Sequence, residues 1–431
     1  MNFELSTIIA LGGGYLALLF GIAFITERGW IPTKIVRHPI IYVLALGVFA
    51  SIWSYYTSIG RALRDGYGYL AGSIGISLAF LLSPLLLRPL LELTRTYQLS
   101  SLADLMAFRY RSPWAGTATT LVILITVTPL IALQIRTVAD TAYILSPEIA
   151  QGFLATGFCI AITLFSILFG TSHKAGRRQH DGLLMAIAFE SLVKLVAFLA
   201  VGAFAIYGGF GSLDGLDQWL QEQPELIDSL KNTGYSNTFH VTVLLFFAAT
   251  IAMPHMFYVT FNENSGQKAL SFASWGLPLY FLLLSLPVLP ILWAGLQSGS
   301  SVPVEYFPVV IGDAYQAPLF SLLAYLGGLS AASALIIVIT LALSNMCLNH
   351  LILPISQPKA SQNIYRWLLW KRRILITIII WAGFLFHYLP SEQISLQVIG
   401  ITAFAACLQF MPGIIAILYW PIANKKGFIS G

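Results

Sequence analysis

Apolar runs of roughly twenty residues recur along this chain, each long enough to cross the ~30 Å hydrocarbon core of a bilayer as a helix. Eleven can be drawn, over 6–26, 38–60, 68–91, 113–136, 150–170, 182–208, 239–260, 269–295, 315–345, 373–389 and 395–420. The 431 residues are 57% hydrophobic and only 10% charged, against roughly 25% charged in an ordinary globular domain. A soluble chain this apolar could not cover its own surface, so a water-soluble enzyme is excluded, as are disordered, collagenous and disulfide-stapled classes. The expected class is an all-α polytopic membrane protein. The first run has neither a basic flank nor a small-residue cleavage site, so a removable signal peptide is not expected.

The net charge of +5 hints at an anionic partner until the basic residues are sorted. Alternate connections hold 18 of the 23, including Arg28, Lys34 and Arg37, Arg88 and Arg95, Arg109 and Arg111, Lys174, Arg177 and Arg178, Lys359, Lys371 to Arg373, and Lys425 with Lys426. Only Arg61, Arg64, Arg136, Lys194 and Lys231 fall elsewhere. The positive-inside rule then puts the N-terminus outside and the C-terminus in the cytoplasm. The charge is topology, with the lipid bilayer as partner and no nucleic acid. The longest outer connection, 209–238, contains Asp217-Gln218-Trp219-Leu220 and is expected to form a short interfacial helix.

Two spans look broken. The second places Gly47 before Ala50, Ser51, Trp53 and Ser54, and the seventh carries Pro254 between Met253 and His255 inside an apolar run. Proline removes a backbone donor, and irregular backbone at membrane depth is tolerated where it lines a cavity. Interrupted segments at matching positions of two halves point to an inverted-repeat transporter site. The solute is expected between the breaks, near Ser51, Ser54, Tyr55, Phe247, Thr250 and Met253, with Tyr55 and Phe247 as its apolar wall. Helix N-termini freed by the breaks favour an anionic group, hence an amino acid or other carboxylate. In the ninth span Ser330 and Ser333 share one helix face. Their hydroxyls, with carbonyls of the second span, would suit a hard cation such as sodium, while the competing reading is close helix packing. Gly68, Gly72 and Gly75 are assigned to packing alone.

Ionisable groups inside a span default to functional hypotheses. Glu190 and Lys194 stand at i, i+4 with the acid first, the favourable order for an intrahelical pair; they form either a self-neutralising pair or an ion path. Arg136 with Gln134 ends the fourth span near the outer face, where the guanidinium reaches water. His255 reads as a hydrogen-bonded helix terminator toward the cytoplasmic end. The other histidines, among them His173 and His180, form no metal constellation, and Cys159, Cys347 and Cys407 read as buried hydrophobes. No hydrolase, nucleotide-binding or zinc-protease motif is present, so no enzyme and no organic cofactor are expected.

Four stretches in order resemble the solute:sodium symporter family. Ala50-Ser51-Ile52-Trp53-Ser54 is similar to its Ala-Ser-x-x-Ser segment. Leu102-Ala103-Asp104-Leu105 with Arg109-Tyr110-Arg111-Ser112 is similar to its Ala-Asp-Phe-Leu…Arg-Tyr-Gly-Ser motif. Gly182-Leu183 with Glu190 resembles Gly-Gly-Leu…Thr-Asp, and Ala252-Met253-Pro254-His255 resembles a Gly-Gln-Pro-His break. The runs Ala188–Phe198 and Leu341–Met346 resemble symporter-like input domains of bacterial sensor histidine kinases, which continue into PAS and kinase modules; this chain stops at Gly431, on the side where such a module would attach.

The resemblance implies a LeuT-type five-plus-five inverted repeat behind one extra helix. The leading helix and loop would occupy 1–37, the first repeat 38–209, the external loop 210–238 and the second repeat 239–431. It implies cation-coupled uptake of a small organic solute, with sodium held by Ala50, Trp53, Ser330, Ser333 and Ala334. The alternative is a solute-sensing input domain with a cytoplasmic kinase partner. The chain departs from coupled members at Ile52, where some carry an acid, and at Ser333-Ala334, where they carry paired hydroxyls. Proton coupling and an uncoupled carrier therefore stand beside sodium.

Overall fold

The structure, a computed structural model, describes residues 3–148, 150–170, 180–231, 236–357, 363–388 and 396–430. Lys174, Arg177, Arg178, Lys359 and His173 lie outside the described residues. Every described element is helical or irregular. Seven helices are long and apolar enough to cross a membrane, and nine when two bent pairs are each taken as one span. The chain is a multi-pass membrane protein.

The leading helix Leu5–Glu27 packs on the helix Asp181–Phe204. That helix also contacts Pro39–Leu46 and the long helix Pro318–Cys347, and so holds the centre of the bundle. The window of Pro318–Ile352 that qualifies as a span is 94% buried, the most enclosed of the set. Such a helix is apolar all round because protein, not lipid, surrounds it.

Several expected spans change form. The stretch 68–91 is split into Ala71–Leu81 and Leu87–Tyr97 by a turn containing Pro84, which cannot continue the helix. The fourth expected span runs on past residue 136 to Leu145. The tenth lies in Ile364–Tyr388, whose first turns carry Arg366 and Lys371 to Arg373. The outer connection forms the helices Leu213–Gln221 and Pro224–Lys231. Ser212 caps the first by accepting from the Gly215 N–H at 3.0 Å, and Trp219 packs on Phe210. This strap leans on Gly66, whose φ is +52° and where a Cβ would stand 2.3 Å from the Leu230 carbonyl oxygen.

One end of the bundle is tied by polar contacts. Arg95 donates to the Asn264 carbonyl at 2.7 Å, and His180 faces both Glu263 at 3.2 Å and the Tyr258 hydroxyl at 2.8 Å. Asp104 meets His350 Nε2 at 2.8 Å and accepts from Ser100. Burial pushes the Asp104 carboxyl up, but the hydrogen bonds from His350, Ser100 and Ser101 win and hold it below its ordinary range.

Gly72 and Gly75 let Ala71–Leu81 approach Ser236–Ala252: a Cβ on Gly75 would lie 2.3 Å from the Val243 carbonyl oxygen. Gly75→Ala should therefore destabilise by about 2 kcal/mol through overpacking. Gly13→Ala, where a Cβ meets nothing within 4 Å, should be neutral or stabilising by up to ~1 kcal/mol. Thermal unfolding in detergent compares the two. A lowered carboxyl pKa gives stability that is complete above the unfolded value and is lost as pH falls through the folded one. The thermal-midpoint gap between wild type and Asp104→Asn should be full above about pH 5 and close in more acidic buffer. A gap that widens on acidification would contradict this sign.

Candidate functional site

The helix beginning at Pro39 ends at Leu46 and tightens into a 3₁₀ turn over Gly47–Phe49. Ala50 then leaves helical geometry, with φ −73° and ψ 78°. The chain resumes as a wide π-type turn over Trp53–Thr57 and the helix Ser58–Asp65, after a bend of 74°. A break inside a protein interior must find partners for the backbone groups it frees, because a buried orphan costs about 1–3 kcal/mol.

Here both sides of the break are served by side chains from other helices. The Lys194 amine donates to the carbonyls of Gly47 at 3.0 Å and Ala50 at 2.8 Å. On the far side the Ile52 N–H donates to Gln134 Oε1 at 3.2 Å, and the Trp53 N–H to Ser51 Oγ at 3.3 Å. The Gln134 amide is oriented by donating its Nε2 to Leu130 O at 3.2 Å. Lys194 and Gln134 are both fully buried.

Glu190, one turn from Lys194, points to a different neighbour. Its carboxylate accepts from the Ser333 hydroxyl, and its backbone carbonyl accepts from Ser330 Oγ at 2.6 Å. Glu190 Oε2 has no hydrogen-bond partner among the described residues. Tyr15 of the leading helix is buried beside this group, within electrostatic reach of Glu190. The two side chains are thus divided: the Lys194 amine holds the broken helix, and the Glu190 carboxyl group holds the helix Pro318–Cys347.

The second break separates Ser236–Ala252 from Pro254–Phe257, with a bend of 52° between the flanking helical segments. Met253 adopts ψ 134°, and Pro254 opens the new turn where its missing N–H costs nothing. His255 is buried and stacks on Phe49 at 5.7 Å, so the two breaks meet through these rings. Its Nδ1 has no hydrogen-bond partner among the described residues. Trp53, Phe246 and Phe404 complete the cluster, with ring centroids 4.6–5.6 Å apart. The Trp53 indole presses on Gly400, where a Cβ would lie 2.1 Å away.

Beside this cluster lies a cavity of about 20 Å³, room for a water molecule. Trp53, Ser54, Ser58, Tyr69, Ser73, Phe246 and Ser285 contribute to its wall. Ser73 and Ser285 hydroxyls are 3.0 Å apart, and Tyr69 donates to Ser285 O at 3.3 Å. The buried Arg61 guanidinium lies 5.2 Å above the Trp53 ring. It is held by Asp65 at 3.1 Å and Gly68 O at 3.1 Å, while its Nη1 has no partner among the described residues.

Of the six residues expected around the solute, Ser54 lines this cavity. Ser51 is engaged in capping, and Thr250 Oγ1 donates to Phe246 O of its own helix at 2.6 Å. Met253 is buried at the second break. Trp53 and Phe246 stand in the wall of this cavity. Tyr55 turns away into Phe198 and Tyr56, over Gly327, which has no Cβ to block it. The π-type turn rephases the side chains relative to an α-helix.

Gln134, expected at a span end, is buried and serves the first break; Arg136, two residues on, sits 3.6 Å from Asp140. The helix end after the first break is also less open to an anion than expected, since Gln134 and Ser51 take its first N–H groups. Among the five expected sodium ligands, the Ala50 carbonyl is taken by an ammonium, and Ser330 and Ser333 donate to Glu190. Trp53 and Ala334 are buried nearby in sequence. A free sodium ion does not fit this donor set, because it would share the Ala50 oxygen with a like charge.

No family model matches the sequence, and no curated protein does. Among solved structures the chain is similar to a Na+-coupled sialic acid symporter in a substrate-bound outward-open state, at 14% identity and a TM-score of 0.70. The match covers 97% of this chain and 86% of that one. A manganese transporter of Eremococcus coleocola is a looser likeness, at 14% identity and TM-score 0.49, over 90% of this chain and 76% of that one. The chain shares its fold with that symporter.

Replacing Gln134 by Leu should destabilise by about 1–3 kcal/mol, since it strands the Ile52 N–H. Gln134→Glu keeps an acceptor for it. Hydrogen exchange should accelerate around Ile52 in Gln134→Leu and less in Gln134→Glu; equal protection in all three proteins would contradict the capping role.

Proposed function

We propose that the chain is a secondary transporter that moves a small organic solute by alternating access. The carrying observation is the meeting of two bent helices through Phe49 and His255, beside a hydroxyl-lined cavity. Discontinuous helices that face one another are the hallmark of transporter sites at the interface of structural repeats. In this reading the chain has eleven spans in a bacterial inner membrane, with the N-terminus outside. The repeats at 38–209 and 239–431 rock against each other around the breaks, with 1–37 and 210–238 as leading helix and external loop.

The solute in this proposal is an amino acid or other carboxylate. Support for an anion comes from Arg61, a buried guanidinium with one unengaged Nη1 over the Trp53 face, rather than from the helix ends. Arginine is suited to planar carboxylate recognition, and Ser54, Ser58 and Ser73 offer neutral hydrogen bonds. A cavity of about 20 Å³ is too small for such a solute, so in this reading the site widens to admit one. Opening requires the ring cluster of Trp53, Phe246 and Phe404 to part. Sodium is the coupling ion the sequence resemblance implies, but the Lys194 amine stands at the Ala50 oxygen where it would bind.

The test is a thermal-shift panel of carboxylates, amino acids and uncharged analogues on purified protein. At least one carboxylate should raise the midpoint by a few degrees, as mass action requires of a ligand well above its Kd. Arg61→Gln should lose that shift, and uptake into proteoliposomes should fall in parallel. A panel in which no solute shifts wild type, or in which Arg61→Gln responds as wild type does, would contradict the proposal.

A further inference from the structure

We infer that the Lys194 ammonium is a resident cation that replaces a dissociable sodium ion at the first helix break. Three observations carry this. The amine donates to two carbonyls of the broken backbone, Gly47 and Ala50, at 3.0 and 2.8 Å. Those are the kind of oxygen ligands a hard cation would use where a helix unwinds. The residue is fully buried, so its charge is exchanged with nothing in solvent while this arrangement lasts.

The two hydroxyls expected in an ion shell are oriented by Glu190. Ser330 Oγ donates to the Glu190 carbonyl and Ser333 Oγ to its carboxylate. Glu190 supplies the compensating negative group one helical turn from Lys194, on the same helix Asp181–Phe204. Cation, counter-charge and oxygens are thus all provided by the chain. A sodium ion at the Ala50 oxygen would lie directly against the Lys194 amine that already holds it. The break is then stabilised at all times, and the protein has no sodium requirement there.

This deepens the transport reading for the same site, but its test reads cation binding with no solute present, so each can fail alone. Purified protein is heated in sodium chloride and in choline chloride at equal ionic strength, as wild type and as Lys194→Ala. Wild type should show the same midpoint in both salts. Lys194→Ala should be less stable and should regain roughly 2–4 °C in a saturable way with sodium or with ethylammonium, either of which can refill the vacated place. Selective, saturable stabilisation of wild type by sodium would overturn the inference. So would a folded Lys194→Ala that neither cation stabilises. Should Lys194→Ala not fold, binding of radioactive sodium to wild type decides alone: no saturable binding supports the resident cation, and saturable binding refutes it.

Discussion

Everything at the centre of this bundle depends on how a broken helix is kept inside a medium with no water. The break at Gly47–Ile52 frees carbonyls on one side and N–H groups on the other. Lys194 answers the first and Gln134 the second. In hydrocarbon the loss of either partner leaves a buried polar group with nowhere to turn. Both partners come from long helices, Asp181–Phe204 and Pro113–Leu145, so the break also fixes where those helices sit.

The same arrangement sets what can move. The helix Asp181–Phe204 is tied to the broken helix through Lys194 and to Pro318–Cys347 through Glu190, Ser330 and Ser333. Any rocking of one group of helices against another must stretch or exchange one of these two ties. The ring cluster around Trp53 and Phe404 is held by ring packing, with the Arg61 guanidinium over the Trp53 face. Opening toward a solute is expected to part these rings. The His180, Tyr258 and Glu263 contacts close one end of the bundle.

Much of this was legible in the sequence, for identifiable reasons. Gly47 and Pro254 marked the breaks because glycine and proline interrupt apolar helices for covalent reasons. Glu190 and Lys194 stood out because charge inside a span is costly. Their spacing suggested one intrahelical pair; the structure turns each toward a separate helix, since backbone carbonyls at a break compete well for a buried ammonium. Gln134 carried a signal, an amide in an apolar run, that was masked by the neighbouring Arg136. The place of Trp53 in the cavity wall could not be read from periodicity, because a π-type turn shifts the phase without changing composition. Tyr15 gave no signal at all; it joins the charged group only through the packing of the leading helix.

An experimental density map of the protein prepared in sodium chloride, at a resolution that separates an ammonium from a free ion, tests the central claim most directly. The account predicts continuous side-chain density from Lys194 to the Gly47 and Ala50 carbonyls, with no separate ion peak among Ala50, Trp53, Ser330 and Ser333. A discrete, oxygen-coordinated peak there, with the Lys194 side chain turned elsewhere, would contradict it.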